Sequence, residues 1–574
     1  MKIWIPGWRN ALIENLPKTF SVLGEGYQRR DLIPDIIAGL TVGIVALPLA
    51  MAFAIASGLP PERGLYTAVV AGFLISFFSG SRFQIGGPTG AFVVIVFGVV
   101  SRHGYEGLVI TTLISGFLLI AMGLFGFGKM IKFIPYPVTT GFTSGIALVI
   151  FSTQMKDFFG LQMDVVPSEF IDKWAAYFRH AGTIDLATTA VSLSSLGIII
   201  FFRKYSPRIP GPIMGVILSS LTVYIFQIPI ETIGSRFGEI PGSLPAPSFP
   251  EIKIARIREL FPDAVTITLL AAIESLLCAV VADGMTGRKH RSNTELVAQG
   301  LANIGSAVFG GIPATGALAR TATSIKSGAR TPLAGMIHAF TLFIIMFFAA
   351  PLAKHIPLAS LSAVLVIVAW NMSEVDHFKH LFRAPGGDVF VLLTTFFLTF
   401  LVDLTVAVQV GIVLAAILFM RRMSEVAEIG DIQGLLHEEI ALGATSQIIS
   451  DGKVSSERKL PEKTEIYEIN GPFFFGMADR LKDTLKNFTK TPVAFILRMR
   501  NVPVIDATAL HALEEFYNKC RKQNTTLILS GVRDNVRVSI RKMGLEEKIG
   551  TENIISDFDS AIARATEIVE REWV

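Results

Sequence analysis

Two short stretches decide how this chain is read: GGPTGAF at Gly86–Phe92 and GIPATGAL at Gly311–Leu318. Each sets a Pro and a Thr before Gly-Ala, and each leads into an apolar run about half as long as the ~20 residues of a membrane crossing. Pro removes a helical hydrogen bond and Gly weakens a helix, so both stretches predict a helix that starts inside an apolar body. The first N–H groups of such a helix lack partners and carry a partial positive charge. Two of these ends facing each other make an anion site. Gly90 and Gly316 allow close backbone approach, while Thr89 and Thr315 offer hydroxyls to cap the helix or to meet a ligand oxygen. Gly/Ala-rich stretches also serve simply to pack helices closely. The recurrence of the break at matching places favours the site.

Composition places these breaks in a membrane. Of 574 residues, 51% are hydrophobic and 17% charged, with a mean hydropathy of +0.54, whereas soluble domains carry ~25% charged residues. A soluble enzyme is thereby excluded. Residues 421–574 hold 46 of the charged side chains, so a polar tail follows an apolar body. About fourteen apolar segments, centred near residues 46, 72, 95, 118, 145, 193, 219, 272, 302, 321, 341, 364, 394 and 412, are candidate spans. The third and tenth are short and follow the two breaks. With the N-terminus inside, the inner loops and N-terminal segment gather twenty lysines and arginines against ten outside, and most of those ten fall in two long loops where the charge rule is weak. Both termini are therefore expected in the cytoplasm of a cell, in bacterial terms beneath the inner membrane. The first thirty residues have no compact apolar core before a small-residue cleavage site, so no cleaved signal peptide is expected. The expected domains are a cytosolic segment 1–34, a transmembrane domain 35–421, a connector 422–462 and a tail domain 463–574.

The net charge of +4 gives no footprint for nucleic acid. Cys278 and Cys520 are far apart, with neither CxxC nor Cys/His spacing, so neither a disulfide nor a metal site nor any cofactor is expected. The segments around the two breaks repeat at an offset that also carries Leu49 in the first span onto Ser275 in the eighth. Seven segments separate the repeats, and an odd number gives the halves, about 35–228 and 262–421, opposite orientation. Such an inverted repeat brings its two breaks together near the midplane.

Glu274, Arg320 and Asp403 are the charges that fall well inside apolar stretches, and intramembrane ionisable groups are functional candidates by default. Glu274, in LLAAIESLLCAVV, lies near mid-span, where a low dielectric disfavours the carboxylate and makes it a candidate proton carrier; a permanently protonated structural carboxyl is the alternative. Arg320 lies one turn beyond Gly316, placed either to compensate a bound anion or to bridge to Glu274. Asp403, in a tight turn between two spans, reads as a helix N-cap. Sodium would need several hard oxygens around Glu274; Cys278, Leu318 and Ala319 supply none from their side chains, so a proton is favoured, with Ser275, Thr315 and backbone carbonyls keeping sodium open. Pro48 interrupts GIVALPLAMAFAIA, where Leu49 and Phe53 share one helical face and either wall the cavity or pack. His377 and His380 read as part of a solvated loop.

These residues resemble the SulP/SLC26 family of anion transporters, with a seven-plus-seven inverted-repeat helical membrane domain and a cytosolic α/β STAS domain. PPERGLYTAVVAGFLISFFSGSR (Pro60–Arg82) is similar to the family signature, departing at Arg63, where an aromatic is usual, and at Ser79, where Gly or Ala is expected. AIESLLCAVVADGMTG (Ala272–Gly287) and VAWNMSE (Val368–Glu374) look closest to the bacterial C4-dicarboxylic acid transporter subgroup. By this resemblance the substrate residues fall on Leu49, Phe53, Thr89, Gly90, Ala91, Phe92, Gly316, Ala317, Leu318, Ala319 and Arg320, beside the coupling residue Glu274. Sodium-dependent relatives carry hydroxyls where Cys278 and Leu318 stand. In the tail, TEIYEIN (464–470), VAFILRM (493–499) and TLILSGV (526–532) read as strands separated by amphipathic stretches. The tail resembles STAS, but Ala507 fills the phosphorylatable position of its VIDATAL loop (Val504–Leu510).

The expectation is a secondary active transporter that takes up a C4-dicarboxylate with a proton by alternating access. Transport of sulfate or bicarbonate, coupled to protons or sodium or by exchange, is the alternative, and an anion channel uses the same dipoles. A different class is a membrane-anchored STAS sensor or scaffold, although an anchor needs no paired breaks and no mid-membrane Glu. The resemblance implies a homodimer, and the tail a regulatory role or a cytosolic protein partner.

Overall fold

The structure, a computed structural model, describes residues 16–27, 29–129, 135–163, 166–167, 169–206, 209–251, 253–402, 404–426, 428–431, 461, 463–474, 481 and 491–571. Asp403 lies outside the described residues. The chain divides into two compact units, Met1–Ala415 and Ala416–Val574.

The first unit is helical. A short helix α1 (Lys18–Glu25) precedes α2 (Arg29–Ala56) and α3 (Pro61–Phe78). A two-residue strand β1 (Gly86–Gly87) leads into α4 (Gly90–Leu124), followed by α5 (Tyr136–Phe159), α6 (Phe170–Arg179), α7 (Leu186–Tyr205), α8 (Gly211–Phe226) and α9 (Ile233–Phe237). The second half holds α10 (Ile254–Thr286), α11 (Ser292–Val308), strand β2 (Thr315–Gly316), α12 (Leu318–Lys326), α13 (Leu333–Ala353), α14 (Leu358–Met372), α15 (Val375–Leu381) and α16 (Gly386–Leu401). Helix α17 (Leu404–Val426) runs across the division between the units. Among the described residues eight helices are long and apolar enough to cross a membrane, and two shorter apolar helices join them. Each of the fourteen expected centres lies in a helix, but the third and fourth fall within α4, whose two arms meet at a non-helical Gly104 with φ 69°. Pro48 does not interrupt its helix. α2 continues through both Pro34 and Pro48, because neighbouring helices can re-satisfy the freed backbone groups inside a membrane protein.

Proline starts several helices, as at Pro61, at no hydrogen-bond cost because the first N–H is unpaired in any case. Gly287, left-handed at φ 68°, stops α10. Small residues then let the halves interlock. α4 crosses α11 at Gly116 and Gly300, where a Cβ on either would stand 2.8 or 2.5 Å from the other's carbonyl oxygen.

α11 also carries a buried polar face that hydropathy alone hides. Glu295, Gln299 and Asn303, four residues apart, are fully buried and share one side of the helix. The Glu295 carboxylate accepts from Ser79 Oγ at 2.5 Å, Gly80 N at 3.0 Å and Gln299 Nε2 at 2.8 Å. Glu295 is thus a further buried charge beyond the three read from the sequence, hidden there because it follows a cluster of loop bases. Asn303 grips the second break from both sides: its Oδ1 accepts from Ala314 N at 2.9 Å and its Nδ2 donates to Ala314 O at 2.8 Å.

The second unit is a five-stranded sheet in the order β3-β4-β5-β6-β7, covered by helices. β3 (Glu428–Asp431) pairs antiparallel with β4 (Thr464–Asn470). β4, β5 (Ala494–Asn501), β6 (Thr526–Ser530) and β7 (Ile554–Ile555) run parallel, with Thr464 opposite Ala494 and Ala494 opposite Thr526. Helices α18 (Ala507–Lys522), α19 (Asp534–Lys542), α20 (Leu545–Ile549) and α21 (Phe558–Arg571) complete the unit. The three expected strands are present. β6 stops at Ser530 because Gly531 turns left-handed at φ 69°. In the VIDATAL loop Asp506 caps α18 by accepting from Ala509 N at 2.8 Å, and Ala507 is the first helical residue.

Asn303→Leu removes both bonds to the Ala314 peptide and leaves that peptide buried without partners. It is expected to cost about 2–4 kcal/mol, read as a lowered midpoint of thermal unfolding in detergent.

Candidate anion site between two helix starts

The two breaks meet. β1 and β2 form an antiparallel ribbon with Gly86 opposite Gly316 and Gly87 opposite Thr315, extended by Ala317 N donating to Ile85 O at 2.7 Å. Gly316 has no room for a side chain, since a Cβ would stand 1.8 Å from Gln84 Nε2. That amide in turn donates to Ser275 O at 3.0 Å and ties the ribbon to α10.

α4 starts at Gly90 and α12 at Leu318. The second start therefore lies two residues later than the break alone suggests, because Thr315 and Gly316 are committed to strand pairing. Arg320 is the third residue of α12 and not a full turn inside it. Its Nη2 donates to Pro88 O at 2.5 Å, and its Nη1 stands 2.5 Å from where a Cβ on Gly87 would be. Arg320 is 4% exposed, and its guanidinium clamps the first break from the second. The bridge from Arg320 to Glu274 that the sequence left open is not formed.

Glu274 instead meets the start of α4. Thr89 Oγ1 donates to Glu274 Oε2 at 2.9 Å. Thr89 is the N-cap residue of α4 but makes no side-chain bond to its own helix; a bond to a carboxylate is stronger than a neutral cap and wins the hydroxyl. Thr315 is likewise engaged elsewhere, donating to Ala271 O at 3.0 Å. The first amides of α4 and α12 thus keep their positive ends without a side-chain cap.

Accessibility separates the expected residues into two groups. Leu318, 46% exposed, and Ala319 open the start of α12 to solvent, and Thr89, Glu274 and Leu49 are partly accessible. Gly90, Ala91, Phe92, Thr315, Gly316 and Ala317 are buried, with Ala91 and Phe92 in the apolar core against Ile95 and Ile273. These residues can reach a ligand through backbone alone. Phe53 packs against Gly90, where Met372 Sδ, Ile150 Cδ1 and Phe53 Cε1 lie 3.0, 3.1 and 3.4 Å from a notional Cβ. Met372 and Ile150 bear on the site without any signal in their local sequence.

Cys278 Sγ donates to Thr321 Oγ1 at 3.2 Å, and that hydroxyl accepts from Ile85 N at 3.0 Å. Thr321, not a ligand of Glu274, is therefore the hydroxyl that supports the ribbon. His338 on α13 is fully buried with neither ring nitrogen hydrogen-bonded. His377 contacts Glu374 on an exposed helix, at 3.3 Å. Among the described residues no group of three or more His, Cys, Asp or Glu side chains is placed to hold a metal.

A multi-pass helical body in which two helix starts converge beside an intramembrane carboxylate, followed by an α/β tail, defines a membrane transporter of small anions. The chain belongs to the sulfate permease family, whose model matches residues 32–395, with a STAS domain matched over 457–561. It is 41% identical over 542 residues to the "Putative sulfate transporter YvdB" of Bacillus subtilis (strain 168), covering 94% of this chain and 99% of that one. It is 29% identical over 555 residues to the "Bicarbonate transporter BicA" of Picosynechococcus sp., covering 93% and 95%. The solved transmembrane domain of a cyanobacterial bicarbonate transporter BicA superposes with a TM-score of 0.59 at 30% identity, covering 68% of this chain and 98% of that one. The overall structure of SLC26A9 superposes at 0.84 over 98% of this chain and 94% of that chain, with 16% identity, a likeness of fold. The chain is an anion transporter of the SulP/SLC26 type and not an enzyme.

Gly316→Ala places a methyl group on Gln84 and is expected to lower anion uptake at least tenfold. Thr89→Val, which loses the bond to Glu274, is expected to lower it several-fold, and Thr89→Ser to restore it. Labelled-anion uptake into proteoliposomes, normalised to reconstituted protein, reads all three.

Proposed function

We propose that this chain is a secondary active transporter that carries one small inorganic oxyanion, of the sulfate or bicarbonate kind, together with a proton. The observation that carries the reading is the convergence of the starts of α4 and α12 on either side of the Gly86–Gly87/Thr315–Gly316 ribbon, with Glu274 hydrogen-bonded to Thr89 between them. Uncapped helix starts favour negative charge. An ionised Glu274 satisfies that preference itself, at the cost of repelling a second anion. Protonation of Glu274 removes the repulsion and releases the Thr89 hydroxyl, so a bound anion replaces the carboxylate as partner of both helix ends.

Relatives named for sulfate and bicarbonate support an inorganic oxyanion, and the crowding of Gly90 by Phe53, Ile150 and Met372 favours a compact ligand. A C4-dicarboxylate, suggested by the motif around Glu274, is the second reading. In both, Leu49, Phe53, Leu318 and Ala319 wall the cavity, the amides of Gly90 and Ala91 and of Leu318 to Arg320 attract the anion, and Arg320 acts through the ribbon. The working domains are 35–421 for transport and 463–574 for the tail. Both termini lie in the cytoplasm, the protein sits in the cell's inner membrane, and the tail serves dimer contact or regulation.

The test is uptake of labelled sulfate, bicarbonate and succinate into proteoliposomes, with and without an acid-outside gradient, for wild type and Glu274→Gln. Saturable uptake of sulfate or bicarbonate that rises as external pH falls is expected, because the proton must load from outside. Glu274→Gln, a fixed neutral group, is expected to bind the anion while losing the dependence on the gradient. Uptake indifferent to both gradient and Glu274 sinks proton coupling and leaves exchange or a channel, and succinate alone as substrate restores the second reading.

A further inference from the structure

Away from the anion site, four arginines from distant parts of the chain line one cavity. Arg30 at the start of α2, Arg82 after α3, Arg288 after α10 and Arg330 before α13 surround a space of about 480 Å³ together with Glu25 and Asp31. Arg82 is held by both carboxylate oxygens of Glu25, at 2.5 and 2.6 Å. Arg330 is held by Asp31 at 2.7 Å. Asp35 behind them is consumed by the Arg330 and Thr331 amides and the Thr331 hydroxyl. Among the described residues neither Arg30 nor Arg288 makes an ion pair with a carboxylate, although Arg288 acts on Glu25 at longer range, and the four arginines exceed the two lining acids by two charges. Like charges gathered this way need a counter-anion.

The flank of the cavity says what kind. Arg30, Ile33, Ile37, Leu40 and Ile44 recur at three- and four-residue steps and share one face of α2. The four apolar members are 66%, 53%, 44% and 37% exposed, so among the described residues no element covers them fully. Beside them α1 buries Thr19 and Val22 against the body and exposes Phe20 and Leu23. Thr19 Oγ1 donates to Phe77 O at 2.8 Å and Lys18 N to Ser79 O at 2.9 Å, so α1 lies docked on the end of α3. A cationic cavity therefore stands at the head of an exposed apolar stripe about as long as three helical turns. A free inorganic anion would use the first and ignore the second.

We infer that this cavity is a binding site for an anionic phospholipid, with its phosphate between Arg30 and Arg288 and an acyl chain along Ile33, Ile37, Leu40 and Ile44. A zwitterionic lipid brings its own cation to the same arginines and gains less. Glu25 limits the site, because its bidentate hold on Arg82 withdraws a third guanidinium from the ligand. The site is built from the ends of α2, α3 and α10; α2 carries Phe53, α3 precedes the first break and α10 carries Glu274. Lipid bound there braces the body that presents the anion site.

The test is native mass spectrometry of the full-length protein in detergent with equimolar phosphatidylglycerol and phosphatidylcholine, with a parallel arm containing millimolar inorganic phosphate. Wild type is expected to retain phosphatidylglycerol in preference by tenfold or more. Arg30→Gln with Arg288→Gln is expected to reduce that preference at least tenfold, and Arg203→Gln, an arginine bonded elsewhere to Asn371, to leave it unchanged. Glu25→Gln frees Arg82 and is expected to raise phosphatidylglycerol retention several-fold, an outcome that misfolding cannot imitate. Equal retention of the two lipids, insensitivity to the paired substitution, or displacement of the lipid by inorganic phosphate overturns the proposal.

Discussion

Everything near the anion site depends on four residues of strand pairing. A helix that begins in the middle of a membrane body exposes unpaired backbone on both sides of its break, and such groups are costly where water is scarce. Here each break supplies the partners of the other through the Gly86–Gly87/Thr315–Gly316 ribbon. The surrounding side chains then fix the ribbon in place: Asn303 on the peptide of Ala314, Arg320 on Pro88, Gln84 on Ser275. Remove the pairing and neither helix start has a defined position. With it, two positive ends are held close together.

The electrostatic balance at this place rests on the carboxylate. Arg320 is often the first suspect for holding an anion, yet it is buried, with Nη2 bonded to the Pro88 carbonyl and Nη1 without a hydrogen-bond partner. The accessible groups are Glu274, Thr89 and the start of α12. In the reading proposed above, attraction comes from backbone amides, which cannot be neutralised by a proton, and control from a single side chain that can. That division separates binding from coupling in a way a Lys- or Arg-based site does not allow.

Much of this was legible before any coordinates. The paired breaks, the apolar body and the STAS-like strands at 464–470 and 526–530 all follow from short-range pattern, since Gly, Pro and Thr at a helix start act within a few residues. What was not legible depends on partners far away. Thr89 looked like a cap and is instead claimed by Glu274. Arg320 looked like a ligand or a bridge and is a clamp. α12 starts late because strand pairing uses the residues that would have begun it. Glu295, Gln299 and Asn303 lay in plain view at four-residue spacing, but their polarity lowered the hydropathy of the segment and hid that they form a buried face that reaches the second break at Asn303. Periodic polar residues in a weak span are the signal that a break nearby needs gripping.

The ribbon also has a consequence for biosynthesis. Pro88 waits for Arg320, 232 residues downstream, and at a ribosomal pace of ~5–20 residues per second the first break spends on the order of tens of seconds in the bilayer without its partners. During that interval the first half must be sheltered by lipid headgroups, water or the insertion machinery, and its half-helix has no fixed depth. Interrupted synthesis would thus yield an inserted fragment with an unmet backbone, a form that quality-control proteases can recognise by what it lacks.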